Sequence, residues 1–387
     1  MQTTPFIVEI PQAALDDLND RLSRTRWPAD YGNDDWSYGA NLAYLKQLVQ
    51  YWRYTYDWRR HEAEINRFAH YLTTLDGVPI HFIHEKGKGP KPIPLLLSHG
   101  WPWTFWDMNK IIRPLADPGT SGGDPKDAFD VIVPSLPGFV FSTPLSKTWI
   151  NAVTTADLWQ RLMNDVLGYD RFGAHGGDWG AIVTAQLGHK YADRLIGIHL
   201  QNGAPLDMFT TGLPSASEYA PDEAGWYGKT VDFFANKAVH VSVQSAEPQT
   251  MSYAFNDSPV GLCAWMVEKR RNWSDCGGDV ERRFSKDELL TSVMLYWLTQ
   301  SYGTSARYYA EARRHPWRPS HDGAPVVSAP TGIALFEGDL CHWPRRSLQR
   351  HFNLKRYTRF PTGGHFGPME EPQSIVDELR SFFRELR

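Results

Sequence analysis

Cysteine is scarce in this chain. There are three in 387 residues, Cys263, Cys276 and Cys341, widely spaced and with no Cys-x-x-Cys pair. Such a set makes no disulfide scaffold and fits a reducing compartment, so a cytoplasmic location is expected. Long apolar runs are missing too: none approaches the roughly 18 residues that suggest a transmembrane helix. The N-terminal MQTTPFIVEIPQAALDDL lacks a basic stretch followed by an apolar one. A soluble, unprocessed chain with no membrane partner is expected. There is no basic excess, the formal net charge being −4, which argues against a nucleic-acid partner. The charged loop from Glu85 to Lys91 lacks the GxxxxGK[ST] spacing of a phosphate-binding loop. No HExxH or other clustered ligand set stands among the 14 histidines, so neither metal nor cofactor is expected.

What is present is a globular composition, 42% hydrophobic and 22% charged. The length leaves room for a catalytic domain of about 250 residues with accessory segments. Sixteen Trp, 17 Tyr and 19 Phe suggest pockets with apolar walls, although most of these rings must be core. Residues 1–70 read as helical: Ala14, Leu15, Leu18 and Leu22 share one face, and a second helix is expected from about Gly39 to Tyr56. From residue 70 the pattern changes. A hairpin with its turn at Asp76-Gly77 precedes short apolar runs at Ile93–Ser98, Phe129–Val133, Arg171–His175 and Leu195–Leu200. Helices are expected between them, one from Thr155 to Leu167 capped by Thr154 or Thr155 and one from Trp179 to Tyr191. Strands alternating with helices indicate a mostly parallel sheet with right-handed crossovers. The alternation stops near Pro205 and resumes near Gly332. The expected class is therefore α/β: an N-terminal segment (1–70), a core in two parts (71–205 and 321–387), and a helical insertion (206–320).

Three short motifs carry chemistry. Gly176-Gly177-Asp178-Trp179-Gly180 follows a strand and precedes a helix. Small residues on both sides of a central nucleophile are what a cramped strand–turn–helix elbow needs. The usual centre is Ser, and here it is Asp178; an Asp in a Gly-rich turn is otherwise commonly a cap. His99-Gly100-Trp101-Pro102, after the Ile93–Ser98 strand, is of the kind that lends a backbone N–H to an oxyanion hole. Gly363-Gly364-His365-Phe366 lies between the last strand and last helix, where a base histidine sits in such a fold. Asp339 then stands between nucleophile and base in chain order, with Glu337 as a nearby competitor. Asp178, Asp339 and His365 are the expected nucleophile, acid and base, and the N–H groups of Trp101 and Trp179 the expected oxyanion donors.

These motifs bring out a resemblance. The chain resembles the epoxide hydrolases of the microsomal type and their soluble bacterial and fungal relatives. The likeness runs nearly end to end, from Pro5–Pro28 and Tyr51–Phe68 through the three motifs, Asn256–Gly261 and Val293–Trp297. It implies an α/β-hydrolase core, a helical lid, a small-molecule epoxide as partner, and two lid tyrosines that hold the epoxide oxygen. One maps onto Tyr309, with Tyr308 an adjacent rival. The other maps onto His240, a departure that resembles the His–Tyr pair of a bacterial branch of the family. The mammalian relatives carry a membrane anchor that this sequence does not show. A homodimer is compatible with the sequence but not indicated by it.

The chemistry explains the Asp. A carboxylate displaces a strained C–O bond at saturated carbon and leaves an ester, which water can cleave. A Ser would leave an ether, which it cannot. The expected activity is opening of a hydrophobic aryl or alkyl epoxide to a vicinal diol through that ester. Two other readings stand beside it: a hydrolytic dehalogenase with the same Asp-His-Asp set, whose halide would want indole N–H donors, and a catalytically silent hydrolase-like binding protein.

Overall fold

A computed structural model describes residues 2–387. Among these, nine strands form one sheet: β1 (Thr4–Phe6), β2 (His70–Leu75), β3 (Val78–Glu85), β4 (Ile93–Ser98), β5 (Phe129–Pro134), β6 (Phe172–Gly176), β7 (Leu195–Gln201), β8 (Val327–Phe336) and β9 (Phe352–Phe360). Their order is β1-β2-β3-β5-β4-β6-β7-β8-β9. The pairs β1–β2, β2–β3 and β3–β5 are antiparallel, and every pair from β5 to β9 is parallel. The parallel strands are short apolar runs because both faces are covered by helices. Leu95, Leu96 and Leu97 of β4 are fully buried, as are Val131, Ile132 and Val133 of β5.

The hairpin turns at Asp76 (φ 51) and Gly77 (φ 74), and β2 and β3 pair from His70↔Ile83 to Leu75↔Val78. Three sequence expectations shift. The helix expected from Thr155 starts at Ala152 and is capped by Asn151, whose side chain accepts from the N–H groups of Val153 and Thr154. An Asx cap is at least as good as Thr, so the start moved three residues upstream. The helical pattern up to residue 70 also holds a further helix, Trp58–Ile65, capped by Asp57, while the second helix covers Leu42–Tyr54. Finally, β1 is a three-residue edge strand that only its pairing with β2 defines.

Between β7 and β8 the chain leaves the sheet and forms helices, among them Val239–Ala246, Pro259–Trp273, Lys286–Thr299 and Tyr302–Arg314. The helix Lys286–Thr299 is buried from Leu289 to Trp297, and the N-terminal helix Leu42–Tyr54 packs against it. No described helix is long and apolar enough to cross a membrane. The carboxyl ends of β4, β6, β7 and β8 point to the inserted helices. In an open α/β sheet this is the edge where a site forms.

Candidate active site

β6 delivers Asp178 to that edge. The chain turns there with Asp178 at φ 53 and ψ −128, then enters the helix Trp179–Lys190. A non-Gly residue at positive φ is strained and is kept only where the surroundings enforce it. The enforcing contacts are close. A Cβ on Gly180 would sit 2.0 Å from the Ser98 carbonyl oxygen, and one on Gly100 would sit 2.3 Å from the Asp178 Cβ. Only glycine lets the elbow lie against the β4 loop.

That loop holds the Asp178 carboxylate: the Trp101 N–H donates to Oδ1 at 2.9 Å. Buried His99 braces it, with Nε2 accepting from the Leu136 N–H at 3.0 Å and Nδ1 donating to the Gly100 carbonyl at 2.9 Å. The N–H of Trp179 follows Asp178 directly at the first position of the helix. A backbone N–H on a carboxylate oxygen, with a second at the helix start next in the chain, can stabilise negative charge that develops there.

His365 approaches from the loop after β9. Its Nε2 lies 3.4 Å from Asp178 Oδ2, and its Nδ1 donates to Asp339 Oδ1 at 2.9 Å. Asp339 is 1% exposed and also accepts the Leu340 N–H at 2.6 Å. Burial disfavours charge on His365, yet Asp339 and Asp178 outweigh it and push the imidazole up to about 10. Burial likewise works against the Asp339 carboxylate, but the His365 charge holds it below its ordinary range. Glu337 is placed otherwise. Its carboxylate accepts from Trp226 Nε1 at 3.0 Å and from Arg359 Nε at 2.9 Å, tying the insertion to β9.

The structure separates the two adjacent tyrosines. Tyr308 donates to Thr155 Oγ1 at 2.8 Å, while Tyr309 lines the cavity over Asp178. Burial, then the Asp178 charge, push the Tyr309 hydroxyl well above its ordinary range, so it stays protonated. His240 lines the same cavity, stacked on the Trp101 ring (centroids 5.3 Å, 8°) and edge-on to Tyr309 at 5.7 Å. Its Nδ1 has no hydrogen-bond partner. Burial above all, with the Lys269 and His365 charges, holds it well below the usual imidazole range. The cavity is about 110 Å³; Asn202 also lines it, and the rest of the wall is largely apolar, including Met208, Phe209, Phe233, Phe234 and Trp343. Sequence reasoning missed this wall, which comes from segments with no shared pattern. Among the described residues no group of three or more His, Cys, Asp or Glu side chains could hold a metal ion.

Sheet order, the Asp178 elbow after β6 and the late His365 define an α/β hydrolase. A family described as "alpha/beta hydrolase fold" matches residues 93–324, and one described as "Epoxide hydrolase N terminus" matches residues 3–108. The chain is 42% identical over 386 residues to a provisionally named epoxide hydrolase of Stigmatella aurantiaca, covering 99% of this chain and 85% of that one. It is 34% identical to epoxide hydrolase 1 of Sus scrofa, covering 98% and 88%. The solved structure of Aspergillus niger epoxide hydrolase superposes with a TM-score of 0.87 at 27% identity, covering 100% and 97%. The chain belongs to the epoxide hydrolases of the α/β-hydrolase fold.

Proposed function

We propose that this epoxide hydrolase opens a hydrophobic aryl or alkyl epoxide to a vicinal diol through a covalent ester on Asp178. The observation that carries the reading is a carboxylate, not a hydroxyl, at the elbow. It lies between the Trp101 N–H and His365 and faces Tyr309 and His240 across an apolar cavity.

In the first step Asp178 attacks a ring carbon, the C–O bond breaks, and Tyr309 gives its proton to the leaving oxygen while His240 hydrogen-bonds to it. The Trp101 N–H stays on the oxygen that becomes the ester carbonyl. Ester formation removes the Asp178 charge that helps keep the proton on His365. The imidazole therefore releases that proton, which makes good the one Tyr309 gave. In the second step neutral His365 takes a proton from water, and the water attacks the Asp178 carbonyl carbon. The Trp101 and Trp179 N–H groups hold the oxyanion; as the ester C–O bond breaks, the second water proton passes from the new carboxyl group to the departing oxygen, which leaves as the diol. His365 ends protonated beside a restored carboxylate, so the cycle closes. Asp339 keeps the imidazole oriented throughout.

A cavity of about 110 Å³ with aromatic walls suits a compact apolar substituent. An engineered apolar cavity of about 150 Å³ takes up benzene, so an aryl epoxide is admitted here only as the aromatic wall gives way, whereas a small alkyl epoxide fits as the cavity stands. The test is to incubate the protein with styrene oxide and with a chloroalkane and to assay diol and free halide. Diol without halide is expected. Halide release without diol would make the enzyme a dehalogenase, and neither product would leave it a binding protein.

A further inference from the structure

His365 hangs on a loop, and loops hold a catalytic geometry only when something locks them. The lock comes from two directions. One turn after His365, the side chain of Glu370 folds back under its own loop. Its Oε1 accepts the Phe366 N–H at 2.9 Å and its Oε2 accepts the Gly364 N–H at 3.0 Å, so the two amides flanking His365 share one carboxylate. The same Oε2 accepts the N–H of Asp275 at 2.8 Å. Asp275 belongs to the inserted helical segment, just past the helix that ends at Trp273.

That segment also grips the loop directly. The His365 N–H donates to the Trp273 carbonyl at 2.9 Å, and the Gly363 N–H donates to Asp275 Oδ2 at 3.1 Å. Arg283 closes the junction, pairing with Asp275 at 2.9 Å and Glu371 at 3.0 Å and lying 3.9 Å from Glu370. The approach is so tight that a Cβ on Gly364 would lie 2.6 Å from the Asp275 nitrogen. Glu370 itself is 8% exposed. A buried carboxylate whose partners are three backbone N–H groups sets backbone positions.

We infer that Glu370 is a positioning residue for His365, holding the histidine loop and the Trp273–Asp275 end of the lid as one body. The lid cannot lift at this end without dragging the base from Asp178. The inference rests on the reading of His365 as the base that hydrolyses the Asp178 ester.

The variant to make is Glu370→Gln. An amide has one acceptor oxygen, so at least one of the three N–H groups must face an NH2. Displacements of about 1 Å at a catalytic group cost roughly 100-fold in rate. Two readouts are needed. Rapid-quench mass spectrometry with styrene oxide should show ester formation within about threefold of wild type and ester hydrolysis slowed by roughly 10- to 100-fold. Proton NMR of the free enzyme should show the downfield His365 Nδ1–H signal shifted or lost. A folded Glu370→Gln enzyme with unchanged hydrolysis and an unchanged Nδ1–H signal overturns the inference, as does equal slowing of both steps with that signal intact. If wild type itself forms no ester, the mechanism above fails, and the NMR signal alone then decides the positioning role. Should Glu370→Gln not fold, Asp275→Asn weakens the same junction and must move both readouts in the same direction by a smaller factor; no change there overturns the inference.

Discussion

Replacing Asp339 by Asn should leave ester formation nearly intact and cripple ester hydrolysis. The carboxylate is buried and its Oδ1 takes the His365 Nδ1–H at 2.9 Å. A hydrogen bond to a charged group contributes about 1.5–3 kcal/mol. At 1.36 kcal/mol per factor of ten, loss of that bond to the developing imidazolium slows the step by about 10- to 100-fold. The Asn amide can also turn its N–H2 toward the ring and favour the wrong tautomer, which in a comparable Asp→Asn triad change brings the loss to about 10⁴. Ester formation needs only the Asp178 carboxylate and the oxygen-holding side chains, so ester should accumulate. Single-turnover quenching with an aryl epoxide, followed by mass analysis of the Asp178 peptide, reads both rates. Glu337→Gln is the control. Its carboxylate bonds Trp226 and Arg359, so both rates should stay within about twofold. A crippled Glu337→Gln beside an active Asp339→Asn would refute the assignment of the acid.

The other expectations are more direct. Tyr309→Phe should slow ester formation by about 100-fold or more, the scale of a lost general acid. Tyr308→Phe should spare it and lower stability by about 1 kcal/mol in chemical denaturation, since it loses only the buried bond to Thr155. His240→Ala should slow ester formation and spare ester hydrolysis in stopped flow, and equal loss in both would give His240 a structural role. His365 should titrate well above the ordinary imidazole value because two carboxylates favour its charged form. In Asp178→Asn one of them is gone, so its NMR titration midpoint should move down; an unmoved midpoint would contradict the proposed switch from acid to base.

The motifs were legible in the sequence because each answers a local backbone demand. Within the elbow itself a Cβ on Gly176 would meet the Gly180 carbonyl oxygen at 2.2 Å, and the turn at Asp76-Gly77 places both residues at positive φ. What is set by tertiary contact was not legible. Tyr308 and Tyr309 sit about 100° apart on one helix, and only the packing of that helix over the elbow decides which meets the cavity. Glu337 and Asp339 are two residues apart, and the approach of Arg359 and Trp226 to one and of His365 to the other separates them. Histidine shows the same limit. His70 and His81 are buried and pair with each other at 2.9 Å, as do His175 and His199 at 3.0 Å, away from the cavity-lining residues. Their sequence signal is no weaker than that of His240, which only the family resemblance singled out and which the fold places on the cavity wall.

The ester on Asp178 is tested most directly by isotope. If the ester forms, a single turnover in ¹⁸O-water with enzyme in excess takes the diol's new oxygen from Asp178, and water refills the carboxylate. The recovered Asp178 peptide should carry ¹⁸O and the diol little. Label in the diol with none in Asp178 would contradict the ester and make Asp178 a general base for direct attack by water.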